Sequence, residues 1–234
     1  MVQITQYSSK DKMSSLISGD DTLLQVLACF GISLGFGDRT VDQVCKLSNV
    51  DCATFLTVVN FVTSGFSSIE THDHELSLPC LITYLRQTHI YYLDNLLPSI
   101  REKLVKATSL SKDKVGQLII KAFDEYMREI KKHMDYEDQT VFIYVENLLK
   151  GEQTPTFKIK TYSKHHDLVG ERLTELKSII IKYTPADVDN YMLMSALLDI
   201  FECEKGLEWH CKIEDYLFSP LVLNYEQKLI KNED

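Results

Sequence analysis

Two short stretches of this chain carry the same chemistry in the same order. "HMDYEDQTVF" starts at His133 and "HCKIEDYLF" at His210; each sets a glutamate four residues after the histidine, Glu137 and Glu214, with an aspartate next. On a helix of about 3.6 residues per turn, positions four apart are neighbours on one face. An imidazole nitrogen and a carboxylate oxygen one turn apart make a ready pair of ligands for a first-row metal ion. Two more histidines extend the pattern. His89 precedes His133 by 133 − 89 = 44 residues, and His166 precedes His210 by 210 − 166 = 44. The offsets 166 − 89, 210 − 133 and 214 − 137 all equal 77. With 7 histidines in 234 residues, chance explains this agreement poorly. A repeated helical hairpin, each copy giving two His and one Glu to a shared centre, explains it simply.

The elements that must position these groups read as four long helices. The first is expected from about Leu78 to Lys106, with Pro79 in its first turn and a kink or end near Pro98. The second runs from about Asp113 to Lys150 and stops at Gly151. The third spans about Phe157 to Tyr183, and the fourth about Asp187 to Pro220 or beyond. Short connections between them predict an all-α, up-down four-helix bundle. Each helix has an apolar stripe advancing by threes and fours, and each stripe carries one of the four histidines. Glu137 and Glu214 lie on the stripes of the second and fourth. Carboxylates and imidazoles left unsatisfied in a core would cost several kcal/mol. A metal centre supplies the positive charge and the acceptor for imidazole lone pairs. Four His and two carboxylates exceed what one tetrahedral zinc needs. They suit two ions, with iron ahead of manganese.

Ahead of the bundle, residues 1–70 read as a small helical module and residues 75–234 as the bundle domain. The module's segments are short and punctuated by Gly31, Gly35 and Gly37, and Thr40 with Gln43 forms a capping-box pattern. Three or four short helices are expected, with too little core to stand alone, so the module should dock on the bundle or on another subunit. "SGFSSIETHDHELS" reads as a linker, and its His72 and His74 as solvated.

The net charge of −9 argues against a broad nucleic-acid or anionic-membrane surface. No stretch has the run of about 18–20 apolar residues that a membrane span needs, and the N-terminus lacks an apolar signal core. A cytoplasmic protein is expected, with the six cysteines free and mostly buried.

The stretches "THIYYLDNLLPSI", "HMDYEDQTVF", "SKHHDLVGERL" and "HCKIEDYLF" resemble the hemerythrin-like bundle. More closely, the chain from about residue 20 to 220 resembles the repair-of-iron-centres proteins, a di-iron family tied to nitric-oxide and oxidative stress. The resemblance places the family's metal ligands on His89, His133, Glu137, His166, His210 and Glu214. It implies two non-haem irons joined by an oxo or hydroxo bridge. It also implies a role in restoring damaged iron–sulfur or other iron centres, with transient iron-protein partners and NO or O2 as small ligands. "FGISLGFGDRTVDQVC" is similar to the family's leading module but departs from it. The adjacent cysteine pair is missing, with Leu34, Gly35 and Phe36 in that vicinity, and Cys45 alone matches. A hemerythrin-type carrier, store or sensor of O2 or NO is the alternative, and enzymatic turnover of NO or peroxide a third reading. Catalytic residues and a homodimer are left open by the sequence.

Overall fold

The computed structural model describes residues 6–65, 76–109, 114–152, 157–162 and 169–231. Four short helices lead the chain: α1 (Met13–Gly19), α2 (Leu23–Cys29), α3 (Val41–Leu47) and α4 (Cys52–Ser64). Local chemistry sets their starts. Thr40 and Gln43 close the expected capping box on α3, and the Asp51 side chain accepts from the Thr54 N–H to cap α4. Gly31, Gly35 and Gly37 take positive φ values of 69°, 94° and 61° in the intervening turns, a region open to glycine at little cost.

The bundle follows. Its first rod is α5 (Leu78–Ile90), a π-helical turn π1 (Tyr91–Leu96) and α6 (Leu97–Thr108). The second is α7 (Lys114–Tyr136), π2 (Glu137–Val141) and α8 (Phe142–Leu149). The third is α9 (Val169–Tyr183); the fourth is α10 (Asn190–Ile213), π3 (Glu214–Phe218) and α11 (Ser219–Lys231). α6 packs on α7 and α10, and α9 packs on the same two helices. Each rod therefore adjoins its neighbours in sequence and the ring closes between first and fourth, the expected up-down bundle. No strand occurs among the described residues.

Two boundaries differ from expectation. The first rod neither stops nor breaks at Pro98: the π turn directly before it takes up a residue that has no N–H to give and whose ring crowds the Asp94 carbonyl. In the third rod, helix is described only from Val169. Lys158 is extended and Ile159–Thr161 forms a single 3-10 turn, with the Ile159 N–H bonded to the Glu226 side chain on α11. Ile159 and Tyr162 are buried all the same. Most of the predicted linker, with His72 and His74, lies outside the described residues.

Two apolar cores result. One is shared by α1–α4, the start of α5, α8, Tyr162 and the end of the fourth rod; the other fills the far half of the bundle around α6, α7, α9 and α10. The leading helices thus complete the bundle's near end, with Phe30 against Tyr84 at 4.5 Å between ring centroids and Phe61 against Trp209 at 5.6 Å. Gln25 also donates to the Tyr92 hydroxyl at 2.6 Å. All six cysteines are free thiols, as expected; Cys29, Cys45 and Cys203 are buried.

Candidate metal centre

Between the two apolar cores lies one polar layer. His89 stands one residue before the end of α5, His133 in the last turn of α7, and His210 in the last turns of α10. Glu137 opens π2 and Glu214 opens π3. Widened π turns recur at functional sites because the extra residue re-aims the side chains around it. Both glutamates are 0% exposed, and His89 and His210 are 1% and 2% exposed.

Ligand atoms of His89, Glu137, His210 and Glu214 all lie within 4.8 Å of one another. Glu137 is the hub. Its Oε2 lies 3.2 Å from His89 Nε2 and 4.0 Å from His210 Nε2. Its Oε1 lies 3.0 Å from His133 Nε2 and accepts from the Tyr162 hydroxyl at 2.7 Å. Glu214 Oε1 is 3.4 Å from His210 Nε2. Of the six residues read from the sequence, five thus meet in one layer. His133 stands at its edge, its side chain 15% exposed. The sixth, His166, lies outside the described residues, as does His165.

The outer contacts determine what the imidazoles offer. Thr88 Oγ1 donates to the Leu85 carbonyl at 2.6 Å, so its one proton is engaged. It also meets His210 Nδ1 at 2.8 Å. The proton in that second contact comes from Nδ1, which turns His210 Nε2 toward the carboxylates. That atom is buried, makes no hydrogen bond and faces two carboxylates. His89 repeats the arrangement with Nδ1 3.2 Å from Asp138 Oδ1 and Nε2 turned to Glu137. Ring nitrogens and carboxylate oxygens set this close call for positive charge among them, supplied by a proton or by a metal ion. The layer's preference for positive charge shows in His89: burial works against the charged ring, yet Asp138, Glu137 and Glu214 outweigh it and pull its pKa up to about 9. Burial, with the charges of Glu214 and Glu137, pushes the Tyr162 hydroxyl well above the usual tyrosine range. Tyr162 therefore stays protonated and acts as a donor. Nitrogen and oxygen donors turned inward and held from outside fit a metal site.

The outer partners are not those nearest in sequence. Glu204 pairs with Lys177 and Thr174, and Glu208 with Lys212, away from the layer; Asp167 lies outside the described residues. Asp138 had a signal, since the aspartate after the glutamate recurs in both motifs. Thr88 had none. Among the tyrosines near the layer, Tyr162 bonds Glu137, and the Tyr92 ring stands 6.5 Å from the His210 ring. Tyr144 bonds Glu226 instead, and Tyr126 is buried beside Phe123 in the far core.

Compared with known proteins, residues 80–222 match the family described as the hemerythrin HHE cation binding domain. No curated protein and no solved structure gives a significant match. Among the described residues no helix is long and apolar enough to cross a membrane.

Proposed function

The chain belongs to the hemerythrin HHE cation-binding family, and on that premise we propose that it is a di-iron protein that restores iron–sulfur and other iron centres after nitrosative or oxidative damage. His89, His133, Glu137, His166, His210 and Glu214 would hold the two ions. The observation that carries this reading is the pair of buried Nε2 atoms, on His89 and His210, directed at the Glu137 and Glu214 carboxylates. Iron there supplies a one-electron couple and an open affinity for diatomic ligands.

The chain's own residues do the rest. Thr88 and Asp138 hold the Nδ1 atoms from outside, so both rings turn Nε2 inward. The Tyr162 hydroxyl orients Glu137 and offers a proton donor inside the layer. The two apolar cores keep bulk water from the buried carboxylates, which strengthens every charge interaction among them. The leading helices, whose sequence resembles the repair family's own leading module, complete the core at the end where His89 and Glu137 sit. That supports a repair role over simple metal storage.

The test is anaerobic purification followed by metal analysis, absorption spectroscopy and incubation with an iron–sulfur enzyme inactivated by NO. Two irons per chain, lost on reduction together with recovery of the enzyme, are the expected result. A stable oxygen adduct with no rescue, or a site that takes only zinc, would overturn it.

A further inference from the structure

Three of the six thiols gather where the leading helices meet the first rod. A tight turn joins α3 to α4: Asn49 takes a φ of 55°, and the Val50 N–H bonds the Cys45 carbonyl at 2.9 Å. That return brings Cys52, the first residue of α4, back beside Cys45 on α3. The two thiols meet, and the Cys45 S–H donates to the Cys52 sulfur. Cys80, near the start of α5, stands close to Cys45, and its sulfur accepts from the Asp51 N–H.

The starts of α4 and α5 abut here, since the Thr54 hydroxyl oxygen accepts from the Ser77 N–H at 2.9 Å. Each of these helices is 13 residues long, so the positive ends of two helices lie side by side. A helix N-terminus favours thiolate over thiol. Burial, with Asp42 and Asp51, raises the Cys52 thiol above its usual range, while the Cys45 hydrogen bond and Lys46 oppose that rise. Cys45 is 0% exposed, and burial with the neighbouring Cys52 sulfur pushes it much further up. The pair is therefore unequal: Cys52 is partly exposed and accepts, Cys45 is enclosed and donates.

From this geometry we propose that Cys52 and Cys45 are a redox-active pair that a small hydroperoxide oxidises to a disulfide. The Cys52 thiolate attacks the terminal peroxide oxygen. The O–O bond breaks, the leaving oxygen takes up the proton that Cys52 gave, and Cys52 becomes a sulfenic acid. Cys45 then attacks the Cys52 sulfur, and the hydroxyl departs as water with the Cys45 proton. The two thiols lose two electrons in all, and the peroxide takes them. Cys45 crosses no part of the fold to do this, because it already touches the sulfur it attacks. The new bond ties α3 to the start of α4. A half-buried sulfur admits a small oxidant and shuts out a bulky protein disulfide. Cys80 is also partly exposed, lining a cleft of about 660 Å³ with Lys46 and Asp51. Its sulfur rests on a backbone N–H, so selectivity for Cys52 comes from Cys45. This chemistry uses no metal and stands whatever the polar layer binds.

The test adds a few equivalents of hydrogen peroxide to the full purified chain, quenches with catalase, alkylates the remaining thiols and maps the peptides by mass spectrometry. The expected result is one disulfide, Cys45 to Cys52, reversed by dithiothreitol, with the other cysteines alkylated. Cys52→Ser should lose it and Cys80→Ser should keep it. Cys45→Ser should hold the sulfenic acid on Cys52, where dimedone traps it. Cys45 is buried, so circular dichroism accompanies that variant, and the map of the unmodified chain decides the matter if the variant does not fold. No disulfide, a disulfide that includes Cys80, or dimedone on a different cysteine overturns the assignment.

Discussion

The two motif-bearing rods are built alike and then supported differently. His133 and His210 each precede a glutamate by one turn, and each glutamate opens a π turn, Glu137–Val141 and Glu214–Phe218. Those turns also stand 77 residues apart, 214 − 137 and 218 − 141. Beyond that the copies part. Glu137 is met by His89, His133 and His210; Glu214 is met by His210, and its charge also bears on His89 and Tyr162. His89 is backed by a carboxylate, Asp138, and His210 by a neutral hydroxyl, Thr88. A carboxylate behind an imidazole makes it a stronger donor than a hydroxyl does. The repeat thus supplies a symmetric set of inward groups, and the surroundings make the two sides of the centre unequal.

The sharpest way to break this comparison is to remove the hub. Glu137→Ala is expected to abolish stable metal binding, and Glu214→Ala to cut it sharply, both read as metal per chain after desalting. Full metal retention in either variant would remove that glutamate from the centre. Next in size is Asp138→Asn, expected to weaken metal affinity by about 10–100-fold, measured by competition with a chelator of known affinity. Thr88→Val keeps the shape but removes the acceptor for His210 Nδ1; its cost should fall at or below about tenfold in the same assay. If Thr88→Val proved the more damaging, the ranking of carboxylate above hydroxyl would be wrong here.

The smaller effects concern the leading helices. A Cβ on Gly206 would stand 2.3 Å from the Tyr92 hydroxyl and 3.0 Å from Gln25 Oε1. Gly206→Ala should therefore cost about 1–3 kcal/mol by forcing apart the Gln25–Tyr92 contact, seen as a lower Tm. Asp51→Ala removes the α4 cap and should cost about 1 kcal/mol, with metal content unchanged. Metal loss in the cap variant would instead tie the leading helices to the centre more tightly than packing alone.

Much of the site was legible because helix periodicity is a local property. His89, Glu137, His210 and Glu214 fall on apolar stripes, and a residue on such a stripe points inward in any bundle built from those helices. The capping box at Thr40 and the free thiols were readable for the same reason. The π turns were not: they add a residue without altering composition, although Pro98 and Pro220 sit just after two of them. The start of the third rod was not legible: Ile159 and Tyr162 keep helical spacing and are buried, yet Lys158 is extended and the Ile159 N–H is held by a side chain from α11.

Sequence alone determined that this is an all-α chain, which faces its helices bury, and that the two His-x-x-x-Glu segments turn toward one core. These follow from residue type and spacing within single elements. Tertiary structure decided which oxygen faces which nitrogen, that Thr88 rather than a neighbouring acid holds His210, and that the leading helices share a core with one end of the bundle. Thr88 and His210 are 122 residues apart in the chain. No periodicity reaches across that distance; packing between rods is what brings such groups together.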